Sequence, residues 1–298
     1  MKKVKINRYK QLVIAALLLL SARAATAQEY RLPEGELSVY LKGPYANLNV
    51  DMNGAGDNNS RFGAGLGVQY SRYLNPTWSV SAALEYQSYR AKTVLEGIAD
   101  AYSLTDLEGD NMVFRTSAST YREWQSAGML NVPLRIQWEN NAPGAHLFAA
   151  AGLQLGFPVR ARYKATAYGL ETSGYFPQWD AELTSPRFMG FGSWGTQQSN
   201  KQKLKLKTSY SMLLELGFKQ QLRSMRNLYV SAYLELGLND IAKTNNNQQP
   251  LINYDPAKPT QFGYASLLNS SQQTTGTRYT GKVKTQGFGV KMRYAFSW

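Results

Sequence analysis

Six ionisable residues recur in one setting along the chain: Glu85, Arg135, Glu215, Glu235, Lys291 and Arg293 each stand between two apolar neighbours. Charges of both signs in such positions have two chemical uses. Turned into a closed space they pair into a plug, because buried charges need partners; lined up along a path they relay protons or ions. Pairing is the expectation, with Lys42 and Lys219 as further cations. Other clusters point to binding. Lys203, Lys205 and Lys207 in KQKLKLK continue the charged, lumen-facing parity of the segment that follows and are expected as its solvated extension; with Arg160, Arg162 and Lys164 upstream, the alternative is a rim that attracts phosphate groups or an acidic partner. Asp51, Asn53 and Asp57, and Asp106, Glu108 and Asp110, carry oxygen ligands but lack the spacing of a calcium loop, and turn chemistry explains them equally well. No metal and no cofactor is expected. With one histidine, His146, and no cysteine, neither a Ser-His nor a Cys-His nucleophile is expected at an outer rim, so no enzyme is predicted. A carboxylate-only site stays open.

The elements that must position these groups are strands. Residues 287–298, GFGVKMRYAFSW, put Phe288, Val290, Met292, Tyr294, Phe296 and Trp298 on one parity and glycine, lysine, arginine, alanine and serine on the other. Period-two alternation marks a strand with different surroundings on its two faces. Seven further segments repeat it, around 37–42, 62–71, 78–87, 130–138, 147–157, 204–219 and 228–238. In every one the charged set shares the parity opposite the apolar stripe. A soluble eight-stranded barrel would reverse that, with an apolar lumen and a polar outside.

Spacing favours lipid as the outer surroundings. Phe62 and Tyr70, Trp78 and Tyr86, Tyr210 and Phe218, and Phe288 and Phe296 are pairs eight residues apart on the apolar stripes. Eight steps on a strand tilted about 40° climb roughly 20 Å, close to the apolar band of a transmembrane barrel with its two aromatic girdles. Short turns near 74–76, 140–144 and 223–227 alternate with longer links, predicted as outer loops after Arg90, Val159 and Asp240. Eight strands, short inner turns and long outer loops predict an all-β antiparallel transmembrane barrel. The loop from Val159 to Gln202 carries Tyr168, Tyr175, Phe176, Trp179, Phe188, Phe191 and Trp194, expected to pack over the mouth; the last, with NNNQQP and SSQQTTGT, is expected to be polar and mobile.

The first 27 residues read as a secretory signal, basic from Lys2 to Lys10, apolar from Leu12 to Leu20, and ending Ala25-Thr26-Ala27. The barrel domain is then 28–298. Six of the 33 Lys and Arg fall in that leader, which leaves 27 against 20 Asp and Glu, so the formal +13 becomes +7. An exported chain of that charge gives no support to a nucleic-acid partner.

The strings NPTWSVSAALEYQSY, LNVPLRIQW with its Pro133, LFAAAGLQLGF and the aromatic C-terminus resemble the eight-stranded outer-membrane barrels of Bacteroidota, the class that includes PorT-like and OmpX-like proteins. The resemblance implies location in the outer membrane, contact with its lipid and lipopolysaccharide, and a C-terminal signal, Phe296 and Trp298, read by the barrel-assembly machinery. The function expected is a non-enzymatic scaffold or binding platform, with an envelope protein as partner and a place in a larger complex. A lipid-modifying enzyme and a narrow ion channel are the alternatives.

Overall fold

The computed structural model describes residues 34–54, 56–60, 62–140, 145–222, 225–243 and 249–298; the expected leader lies outside them. Eight strands form a closed antiparallel ring: β1 Gly35–Val50, β2 Gly65–Tyr73, β3 Trp78–Thr105, β4 Asn111–Glu139, β5 Ala145–Phe176, β6 Ser209–Gln221, β7 Arg226–Gly237 and β8 Val283–Ser297. Each pairs with the next, and β8 pairs with β1, so no edge of the barrel is left open.

Alternation fixes the facing. Leu41, Leu66, Leu84, Leu134, Leu153 and Leu216 project outward and are exposed, whereas Glu85, Gln87, Asn131, Glu235 and Lys291 are buried inside. A continuous apolar belt of this kind has no stable place in water and belongs in lipid. The girdles assemble through register. Tyr45 stacks between Phe62 and Phe288, with centroids 5.5 and 4.7 Å away. Tyr86, Leu130 and Phe157 continue that outer row across β3, β4 and β5. At the opposite end Trp78 faces Trp138, and Tyr70 lies 6.1 Å from Trp298. The chain ends meet there, Glu34 donating to the Trp298 carbonyl at 2.9 Å. Leu153, paired with Leu134 and Met212 midway between the girdles, is where an arginine would meet mid-bilayer hydrocarbon. Leu153→Arg is expected to cost about 2–4 kcal/mol, read by urea unfolding in lipid vesicles; unchanged stability would refute the assigned facing.

Three strands depart from expectation. The loops predicted after Arg90 and Val159 are largely strand: β3, β4 and β5 run 28, 29 and 32 residues. Beyond the outer girdle they stand as a wall, since Tyr86 to Thr105 alone spans about 60 Å of strand. Short strands widen it: Gly56–Ser60 on β3, and Ala181–Leu183, Gly192–Gln198 and Gln202–Lys203 on β5.

The wall inverts the barrel's pattern. Above the girdle β3 turns Tyr89, Ala91 and Leu95 inward and Arg90 outward; β4 buries Met129, Ala127 and Tyr121; β5 buries Tyr163, Ala165 and Ala167 while Arg160 and Arg162 face out. The reason is the change of solvent. In lipid the apolar side is the outside, and in water it must be the inside. On β5 the swap is made by a bulge, because Gly128 pairs with Arg160 and Met129 with Pro158, leaving Val159 unpaired and shifting the parity by one. Higher up the inward parity slips again at one level on all three strands, at Gly97, Ser119 and Gly169. Gly97 and Gly169 have φ of 63° and 59° there, a conformation glycine adopts without a Cβ penalty.

Candidate functional site

Two assemblies concentrate the chemistry. The first fills the lumen. Lys42 lies 2.7 Å from Glu85 and 3.1 Å from Glu235. Tyr40 and Asn131 donate to Glu85 at 2.8 and 2.9 Å, while Tyr89 and Gln154 donate to Glu235. The space for Tyr40 comes from Gly67, where a Cβ would sit 2.5 Å from the Tyr40 ring. Below, Lys291 meets Glu215 at 2.9 Å and Ser231 donates to the same carboxylate at 2.7 Å.

Nearest the short turns, Lys219 bridges Glu139 at 2.8 Å and Glu36 at 3.7 Å, with Tyr229 donating to Glu36 at 2.7 Å. Five carboxylates and three lysines thus interlock in tiers from β1, β3, β4, β6, β7 and β8. Glu36 and Glu139 are members that sequence reasoning missed. Glu36 is the second residue of β1 and Glu139 the last of β4, positions near strand ends where an acidic residue reads as solvated.

The predicted arginines do something else. Neither Arg135 nor Arg293 reaches a carboxylate within ion-pair distance among the described residues. Arg135 donates to Gln69 at 2.9 Å and lies over Tyr40; Arg293 donates to Gln137 at 2.9 Å and stacks 3.7 Å from the Tyr229 ring. Cation–π contacts with desolvated rings and charge-assisted hydrogen bonds take the place of the expected ion pairs. His146 points inward at the short-turn end, its Nδ1 2.8 Å from the Asn140 carbonyl oxygen.

The second assembly lies outside the membrane. The connection from β7 to β8, predicted as polar and mobile, folds inside the curve of the wall where it is described; 244–248 of NNNQQP lie outside the described residues. Leu251, Ile252, Leu267 and Leu268 are buried against Leu95, Tyr121, Ala165 and Leu170. Each such side chain, fully buried, contributes about 1.5–3 kcal/mol, which holds the polar residues between them. SSQQTTGT is tied down too, since the Gln273 and Thr274 amides donate to Asp100. The Tyr121 and Tyr163 hydroxyls donate to the carbonyls of Ala265 and Tyr264 at 2.9 and 2.8 Å. Glu123, buried on β4, accepts from the Ser266 hydroxyl at 2.6 Å, the Leu267 amide at 2.7 Å and Gln125 at 3.0 Å. Burial pushes its carboxyl up to about 7, against the pull of those donors.

At the wall's tip the aromatic segment divides. Phe176 and Phe191 are buried with Phe114, and Tyr254 of the last connection stacks on Phe114 at 4.7 Å. Trp179 and Phe188 remain 60% and 73% exposed. Lys203, Lys205 and Lys207 are exposed as well, but not as expected. The alternation puts them on the lumen side of β6; instead Leu204 is buried in the upper core and the lysines face water, because this stretch lies above the girdle and β6 begins only at Ser209. Arg160 and Arg162 stand on the wall's outer face, Arg162 paired with Lys203 in register. Asp106 closes its own turn, accepting from the Glu108 and Asp110 amides. Phe296 and Trp298 both face lipid.

The sequence matches the outer membrane protein β-barrel domain family over residues 27–243. The chain belongs to that family. No curated protein matches it. Among solved structures this barrel is similar to the outer membrane protein OprG of Pseudomonas aeruginosa, at 11% identity over 89% of this chain and 97% of that one, with a TM-score of 0.36. It is also similar to Ail, the attachment invasion locus protein of Yersinia pestis, at 11% identity over 88% of this chain and 99% of that one, TM-score 0.27. Ail in complex with the heparin analogue sucrose octasulfate matches at 12% identity with a TM-score of 0.26. Likenesses at this level carry no residue-by-residue comparison.

Proposed function

We propose that this outer-membrane barrel is a non-conducting, non-enzymatic binding platform, its working surface being the wall of β3, β4 and β5 with the β7–β8 connection packed inside it. The observation that carries the reading is the apolar core outside the membrane. Crossing a bilayer takes about 9–11 residues per strand, and β3 to β5 each spend about 19 more on a structure that water, not lipid, surrounds. A plug of paired charges in an eight-stranded lumen leaves no aqueous path, which disfavours the channel alternative. His146 lies at the end remote from the wall, away from any outer-leaflet substrate, which disfavours the lipid-modifying alternative. Leu107 on the β3–β4 connection and Trp179 and Phe188 on the β5–β6 connection are exposed, which supports a protein partner and a place in an envelope complex. We further read the chain as Bacteroidota type from the strings that resemble that class, exported by the leader over 1–27, with Phe296 and Trp298 as the segment the assembly machinery recognises.

Planar-bilayer recordings of the purified barrel are expected to show no steady conductance, and photo-crosslinkers at Trp179 and Phe188 in intact cells to trap one discrete adduct. A stable, large conductance would overturn the plugged lumen; crosslinkers that trap nothing at either position would overturn the platform.

A further inference from the structure

Just above the outer girdle, on the outward face of the wall, the register lines up cations in two rows. Arg90, Ser126, Arg162 and Lys203 are consecutive cross-strand partners, and so are Lys92, Trp124 and Lys164. Of these, Arg90, Trp124, Ser126, Arg162 and Lys164, together with Arg160 and Lys201, line a groove of about 400 Å³, with Phe62 of the girdle at its lower edge and no carboxylate among the described residues of its lining. Trp124 is 43% exposed there, the Lys92 ammonium 5.5 Å over its ring.

Elsewhere on the wall the outward arginines have partners. Arg115 pairs with Glu182 at 2.9 Å, and Arg122 donates to the Tyr168 hydroxyl at 3.0 Å. Among the described residues none of the groove's arginines or lysines is in an ion pair. Unrelieved like charges so close together repel unless an anion lies between them.

The height of the groove selects the anion. Ser126 is four residues beyond Leu130 of the girdle, about 10 Å along the membrane normal at a tilt of about 40°. That is the level of lipid headgroups. Directly below, Leu84, Leu134, Leu153 and Leu155 offer an apolar face to acyl chains. We propose that this groove binds the phosphate groups of a phosphorylated glycolipid of the outer leaflet, Arg90, Arg160, Arg162, Lys164 and Lys201 gripping phosphate while the belt below holds the chains. Arginine forks grip phosphate oxygens in pairs, and lysines add point charge. The proposal rests on the membrane-spanning platform reading and gives that platform its lipid.

The test is native mass spectrometry of the full-length barrel in mild detergent, titrated with diphosphorylated lipid A, its dephosphorylated form and inorganic pyrophosphate. The expected order is diphosphorylated lipid A well above the other two. Arg90→Ala, Arg162→Ala and Lys164→Ala together should weaken lipid A binding at least tenfold with heat-modifiable gel mobility kept, whereas Lys258→Ala, exposed at the far tip, should leave it unchanged. If the triple variant does not fold, Arg162→Gln with Lys201→Gln carries the test, with at least a threefold loss expected. Undiminished binding by the variants, or equal binding of dephosphorylated lipid A, would overturn the site. Pyrophosphate binding as tight as lipid A would overturn the lipid as its ligand. A conducting barrel would sink the platform while leaving these affinities in place, so the two failures are distinguishable.

Discussion

Replacing Lys42 with methionine is expected to destabilise the barrel by about 3–5 kcal/mol, the cost of leaving buried charge uncompensated. Lys42 is the only cation within ion-pair distance of Glu85 and Glu235 among the described residues, and all three side chains are at most 2% exposed. Methionine keeps most of the volume and removes the charge, so two buried carboxylates would share the upper lumen with only Tyr40, Asn131, Tyr89 and Gln154 as donors. Adding Glu85→Gln and Glu235→Gln to Lys42→Met should recover most of the loss, because nothing charged is then left unpaired. Urea unfolding in lipid vesicles reads both. A Lys42→Met barrel as stable as the wild type would mean that water or ions reach this tier, and the plug would have to be abandoned with it.

The second large effect is a pH dependence in the outer assembly. Glu123 titrates near 4.5 when exposed and about 7 when buried under the β7–β8 connection, so the docked state holds the proton more tightly than the undocked one. Docking is therefore strongest below about pH 4.5, weakens as pH rises, and has lost the whole difference above about pH 7. A shift of that size corresponds to about 3 kcal/mol. Hydrogen exchange at the Leu267 and Leu268 amides, corrected for intrinsic rates, should show protection falling steeply between about pH 4.5 and 7. Glu123→Gln, which keeps an acceptor for the Leu267 amide without a charge, should make the protection independent of pH. Protection that rises with pH would show that the three donors outweigh burial and that Glu123 is docked as a carboxylate.

Much of the membrane belt was legible in the chain. The apolar parity of 78–87, 130–138 and 228–238 is the parity that faces lipid in the barrel, and the aromatic pairs eight residues apart are the two girdles. These follow from local rules, since strand geometry alone puts alternate residues on opposite faces. Membership of the lumen set followed for the same reason: Glu85, Arg135, Glu215, Glu235, Lys291 and Arg293 all point inward.

Which lumen charges meet was decided by register and barrel closure. Lys42 reaches Glu235 across 193 residues of sequence, and Glu36 and Glu139 converge on Lys219 from strands whose ends look like turns. Above the girdle the sequence keeps its alternation but exchanges the meaning of the two faces. Arg160 and Arg162 hold the parity of the lumen below, and a single unpaired residue, Val159, turns them outward. Leu204 and the lysines beside it change faces because β6 begins only at Ser209. Sequence by itself determined a barrel with lipid outside and charge inside. Only the tertiary structure decided where lipid gives way to water, because that boundary is a property of the whole ring and its girdles, and a strand records which residues share a face but not what each face meets.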